Sequence, residues 1–113
     1  MRQTTFRMTA ELRGKLRAAM VRDGYNTRQV SRWICQRIRD LFAADPHLMQ
    51  VGLSDAVERH SENALLLVDD KADELLNEAF DILRAQDPRY EGIQGAVIRA
   101  AIRYGVSQSD IAA

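Results

Sequence analysis

Residues 2–8 read RQTTFRM, and polar and apolar residues nearly alternate along them. Strand side chains point to opposite faces in turn, so Phe6 and Met8 share one face and Gln3, Thr5 and Arg7 share the other. From Thr9 the rhythm becomes helical, and it stays so for some thirty residues. A short strand alone leaves backbone N–H and C=O groups unpaired and cannot cover Phe6 and Met8. The fold therefore turns on where this strand finds its partner.

Thr9 is placed to cap a first helix, with Glu11 favoured in its first turn by the helix dipole. Leu12, Leu16, Ala19 and Met20 recur at helical spacing, and Gly24 supplies the positive φ that ends such a helix. Asn26 or Thr27 caps a second helix, whose apolar stripe is Val30, Trp33, Ile34, Ile38 and Leu41. The unit 1–45 thus runs strand, helix, glycine turn, helix. Residues 46–62, with Pro46 and Gly52, read as a linker with a short helix starting near Ser54.

The order then repeats over 63–106. NALLLV (63–68) is a strand candidate. DDKADELLNEAFDILRAQ is an amphipathic helix, capped by Asp69 or Asp70 and striped by Leu75, Leu76, Ala79, Phe80 and Leu83. DPRYEG is a turn, IQGAVIRAAIRYG is a second helix closed by Gly105, and residues 107–113 form a frayed tail. At an offset of 60, Met8, Leu16, Ala19 and Met20 align with Val68, Leu76, Ala79 and Phe80. At an offset of 64, Ile34, Ile38 and Arg39 align with Ile98, Ile102 and Arg103. A turn four residues longer accounts for the change, although any two amphipathic helices share some periodicity.

Composition narrows the class. The 113 residues are 46% hydrophobic and 28% charged, as in ordinary globular proteins. Two units this small have thin cores, so association is an expected source of stability. One cysteine excludes an internal disulfide. The absence of a long apolar run and of a signal-peptide pattern predicts a cytoplasmic protein with no membrane partner. The net charge of zero conceals a division. Residues 1–42 hold ten basic and three acidic side chains, a net +7, and the remainder holds six and thirteen, a net −7. That asymmetry predicts a basic half that meets a polyanion and an acidic half with another task.

Strand, helix, glycine-containing turn and helix, with RQTTFRM, the cap after it and DGYNT between the helices, resembles the ribbon-helix-helix family that includes the Arc and MetJ repressors. The resemblance covers residues 2–42 well and 63–106 more loosely. It implies a mainly α fold with one short strand per repeat, in which strands from two units form an antiparallel ribbon that enters the DNA major groove. An intertwined dimer, with strand 2–8 paired to its twin in a second chain, is favoured because it gives a symmetric polar ribbon. Pairing with strand 63–68 of the same chain is the alternative.

The resemblance assigns base reading to Gln3, Thr5 and Arg7, and their chemistry suits it. Gln bonds adenine N6 and N7, Arg grips guanine O6 and N7, and Thr bonds a base edge or meets a thymine methyl. Arg2 is placed for a nearby phosphate. In the family the start of the second helix clamps the DNA backbone. Here Asn26, Thr27 and Arg28 occupy it, and the stretch Gly24–Leu41 is about two residues longer than the family's pattern. The second strand places Asn63, Leu65 and Leu67 where the first has Gln3, Thr5 and Arg7. Leucine offers no hydrogen bonds, so residues 63–106 are expected to serve association or a protein partner, with an apolar strand buried on both faces.

Competing chemistry finds little footing. His47 and His60 are thirteen residues apart in the sequence, with no Cys or acid at metal-ligand spacing, and no metal or other cofactor is expected. Cys35 reads as a core or boundary residue, Trp33 and Phe80 as core, and the acids of DDKADE as helix-start residues. No catalytic signature is present, so an enzyme is not expected. The expectation is a sequence-specific duplex DNA-binding homo-oligomer, a dimer or tetramer, acting as a transcriptional repressor or autoregulator. The rivals are an accessory of plasmid transfer, as in the TraY-type conjugation proteins with tandem units, and an antitoxin-type protein whose acidic half binds a partner.

Overall fold

The computed structural model describes residues 1–53 and 60–112, with only the backbone described for 109–112. Its elements are β1 (Arg2–Met8), α1 (Ala10–Arg22), α2 (Val30–Ala44), entered through a 3-10 turn at Thr27–Gln29, β2 (Glu62–Val68), α3 (Asp70–Gln86) and α4 (Ile93–Ala112). Among the described residues, four helices and one two-stranded antiparallel sheet make a mainly helical fold. The short helix expected near Ser54 lies outside the described residues.

The partner of β1 is β2 of the same chain, not a twin from a second copy. Thr5 faces Leu65 at the centre, Arg2 faces Val68 and Met8 faces Glu62 at the ends. Position i of β1 corresponds to position i + 60 in the repeat. This register is therefore the one a two-fold axis through the Thr5–Leu65 pair would generate. The internal repeat is thus geometrical, and one chain supplies both halves of the ribbon. The ribbon's outer edges are also occupied. Leu67 N–H donates to Ser31 Oγ at 2.9 Å, Cys35 Sγ donates to Leu67 O at 3.5 Å, and Arg99 Nη1 donates to Arg7 O at 2.9 Å. These bonds satisfy backbone groups that would otherwise invite another strand.

Local chemistry sets the helix boundaries. Thr9 Oγ1 accepts from Leu12 N–H at 3.0 Å, and at the matching position Asp69 Oδ1 accepts from Ala72 N–H at 2.8 Å. Each satisfies an N–H that a helix start leaves orphaned. Gly24, at φ +83°, ends α1. One apolar core joins the repeats. Phe6, Met8, Leu16, Trp33, Ile34 and Ile38 come from the first, and Leu66, Val68, Leu76, Val97, Ile98 and Ile102 from the second.

Three expectations need correction. Residues 46–53 do more than connect, because Leu48 and Val51 are buried in the common core. Asp45 fixes their path by accepting from Met49 and Gln50 N–H at 3.0 and 2.9 Å. Gly105 does not close the last helix. α4 runs through it to Ala112, and the missing side chain lets α4 approach α2, since a Cβ there would collide with Trp33 and Arg37. Finally, β2 is not buried on both faces. Leu66 and Val68 are buried, whereas Leu65 and Leu67 are exposed.

The charge division has a structural counterpart. Arg2 pairs with Asp73 at 2.7 Å, and Arg13 pairs with Glu62 at 3.1 Å. At an offset of 60, Arg2 corresponds to Glu62 and Arg13 to Asp73. The two pairs therefore occupy equivalent places with their charges exchanged. Arg39 of the first repeat also holds Asp69 of the second at 2.7 Å. Some of the basic and acidic excess is spent on joining the halves.

Candidate nucleic-acid interface

The alternation of β1 and β2 sends six side chains outward on one face: Gln3, Thr5 and Arg7 from β1, and Asn63, Leu65 and Leu67 from β2. All six are exposed. The register sets Gln3 opposite Leu67, Thr5 opposite Leu65 and Arg7 opposite Asn63. The opposite face carries Phe6, Met8, Leu66 and Val68 into the core, which holds the ribbon flat against the helices. The three expected reading residues are thus brought together.

Arg2 is placed differently from the expectation. It lies in the inward register of β1, where its guanidinium bonds Asp73 Oδ1 at 2.8 Å and Gln94 Oε1 at 3.1 Å. Its charge is engaged in joining β1 to α3 and α4.

The start of α2 stands beside the ribbon. Asn26 and Thr27 line a cleft of about 340 Å³ together with Asn63, Leu65 and Arg17, so helix start and strand share one continuous surface. Asn26 is the cap. Its Oδ1 accepts from Arg28 N–H at 3.0 Å, and its own N–H donates to Gln29 Oε1 at 3.0 Å. This reciprocal capping box consumes two donors. Among the described residues it leaves the Thr27 N–H without a partner, together with the exposed Arg28 side chain. Arg7, Arg17, Arg28 and Arg32 are exposed and make no side-chain ion pair among the described residues.

The matching flank is different. α4 begins near β1, where Gln94 Nε2 donates to Thr4 Oγ1 at 2.7 Å. The residues just before α4 include exposed Arg89 and Glu91. This second helix start therefore sets a carboxylate beside its guanidinium, which weakens its attraction for a phosphate.

Cys35 is buried behind the ribbon, and burial pushes its thiol above the ordinary range. It packs as the core or boundary residue expected of it. Asn63, Leu65 and Leu67 stand at the positions aligned with the reading residues, but the two leucines are exposed and not part of a strand buried on both faces. The signal that they face outward was the shared offset of 60. Position parity within a paired ribbon outweighs side-chain polarity. No family model, no curated protein and no solved structure matches the chain.

Proposed function

We propose that this chain binds duplex DNA through the outer face of the β1–β2 ribbon, as a ribbon-helix-helix pair built within one polypeptide. The observation that carries this reading is the exposed set Gln3, Thr5, Arg7 and Asn63 beside Arg17 and Arg28, which make no ion pair among the described residues. A two-stranded ribbon fits a major groove about 12 Å wide. Seven residues extend about 24 Å at roughly 3.4 Å each, enough to follow several base pairs. Gln3 and Asn63 match the adenine edge, Arg7 matches guanine, and Thr5 matches either a base edge or a thymine methyl. Thr27 N–H and Arg28 offer a phosphate clamp at the start of α2.

Transcriptional repression or autoregulation is the role that fits a small sequence reader of this kind. The plasmid-transfer reading uses the same surface, and the folding of two tandem repeats as one pair is the observation in its favour. The antitoxin reading loses support, because β2, α3 and α4 contribute half of a shared core instead of a free partner-binding tail. The neighbouring genes would separate repressor from transfer accessory.

Fluorescence anisotropy of the full chain on duplex and single-stranded DNA at two salt concentrations tests the proposal. Duplex binding that weakens steeply with salt is expected, since phosphate neutralisation releases counterions. Indifference to duplex DNA at low salt would contradict it.

A further inference from the structure

We infer that the ribbon reads a site without dyad symmetry, and that Leu65 and Leu67 recognise thymine methyl groups within it. The inference rests on the DNA-binding reading above and adds the kind of site.

Two identical strands around a two-fold axis present the same three side chains to both half-sites. Here the strands occupy symmetric positions with different chemistry. One end of the face carries Gln3 and Leu67, the centre Thr5 and Leu65, and the other end Arg7 and Asn63. Arg7 selects guanine and Asn63 selects adenine. Gln3 also selects adenine, and the leucine facing it has no hydrogen bond to offer. It presents an apolar surface of the kind that fits only the C5-methyl group of thymine among major-groove features. The Gln3 end is therefore suited to A·T pairs, and the Arg7 end to a guanine-containing step. From Gln3 to Arg7 the strand advances about 13 Å, or roughly four base-pair steps.

The backbone clamps also differ. The start of α2, with Thr27 and Arg28, flanks β2, where Asn26 and Thr27 share a cleft with Asn63 and Leu65 and Ser31 accepts from Leu67 N–H. The start of α4, with Arg89 and Glu91 before it, flanks β1, where Gln94 accepts from Arg2 and donates to Thr4. Unequal charges on the two flanks favour one orientation of the bound protein.

Leu65 and Leu67 remain 51% and 42% exposed, although buried positions one residue away show that the strand can hide its leucines. A protein partner is the competing explanation. Arg7, Arg17 and Arg28, uncompensated among the described residues, favour a polyanion over a neutral apolar partner on this surface.

The test selects sites from a random duplex library with the full chain, then replaces thymines of the enriched site by uracil, which removes only the methyl. The wild type, Leu65→Ala and Leu67→Ala are compared by anisotropy, with light scattering as a control. The inference predicts an enriched motif lacking dyad symmetry. It also predicts wild-type affinity about threefold to fourfold lower for each methyl removed at a leucine contact, and no uracil effect at the position served by the truncated leucine. A palindromic motif, or wild-type indifference to uracil, would overturn it. So would an oligomer that dissociates on Leu65→Ala with DNA affinity intact, which would assign the leucines to a protein interface. Failure to bind any duplex would instead remove the DNA-binding reading on which the inference stands.

Discussion

Arg2, the first residue of β1, holds Asp73 of α3 at 2.7 Å, and the equivalent place on the other side of the ribbon holds the same bridge with its charges reversed, Glu62 against Arg13. Two first repeats paired with each other would set Arg2 against Arg13. Two second repeats would set Glu62 against Asp73. Only unlike repeats place opposite charges in both positions, so the bridges specify the partner more than they add stability.

Reversing one charge tests this. Arg2→Glu places a carboxylate against Asp73 and should destabilise the fold by about 1 kcal/mol, a modest figure because both side chains are partly exposed. Adding Asp73→Arg should recover most of the loss. Urea denaturation of the two single variants and the double variant gives the coupling directly, and strict additivity would refute a specific pair.

A fragment of residues 1–53 keeps the buried Leu48 and Val51 but lacks β2, and its own twin sets like charges together. It should be largely unstructured or aggregated by circular dichroism. Mixing it with residues 60–113 should restore helicity at a one-to-one ratio. A 1–53 fragment that folds as a homodimer would show that like pairing is tolerated after all.

Leu48 links the connection after α2 to the core. It is buried, and it holds a positive φ of 53°, which is unusual outside glycine. Leu48→Ala should cost about 2–5 kcal/mol, the range for a truncated core leucine. A change below about 0.5 kcal/mol in thermal or urea denaturation would mean that this segment is a passive tether.

Burial behind Leu67 raises the Cys35 pKa, so the folded state favours the neutral thiol. The sign follows from linkage. A folded pKa raised above the unfolded value gives stability that is complete below the unfolded pKa and declines as pH rises toward the folded one. Stability should therefore fall above about pH 8.5, and less so in Cys35→Ala. Alkylation by iodoacetamide should track unfolding. Rapid labelling of the native protein at neutral pH would contradict this account.

Much of the helical order is legible in the sequence because its signals are local. Thr9 and Asp69 accept from the third residue onward as caps do, and Gly24 takes the positive φ that its place demands. The repeat is legible too, and the structure turns its offset of 60 into strand register. What escaped were matters of pairing between distant segments. The sequence shows that β1 needs a strand, but the choice between a second chain and residues 62–68 depends on complementary charges seen only once helices and ribbon are assembled. Arg2 looked free for phosphate because Asp73 is 71 positions away. The composition of Leu65 and Leu67 points to burial while strand parity turns them outward, and Leu48 sits in a segment without the periodicity that marks core residues.

The central claim is that the outward ribbon face reads bases, and Arg7 tests it most directly, being exposed, free of ion pairs among the described residues and at the polar end of that face. The decisive measurement is the affinity of Arg7→Ala relative to wild type on the selected duplex and on a scrambled duplex of equal length at one salt concentration. The account predicts a loss of about 1–3 kcal/mol on the selected site, relaxed preference at one base pair, and a much smaller loss on the scrambled duplex. Equal losses on both duplexes, or none on either, would contradict it.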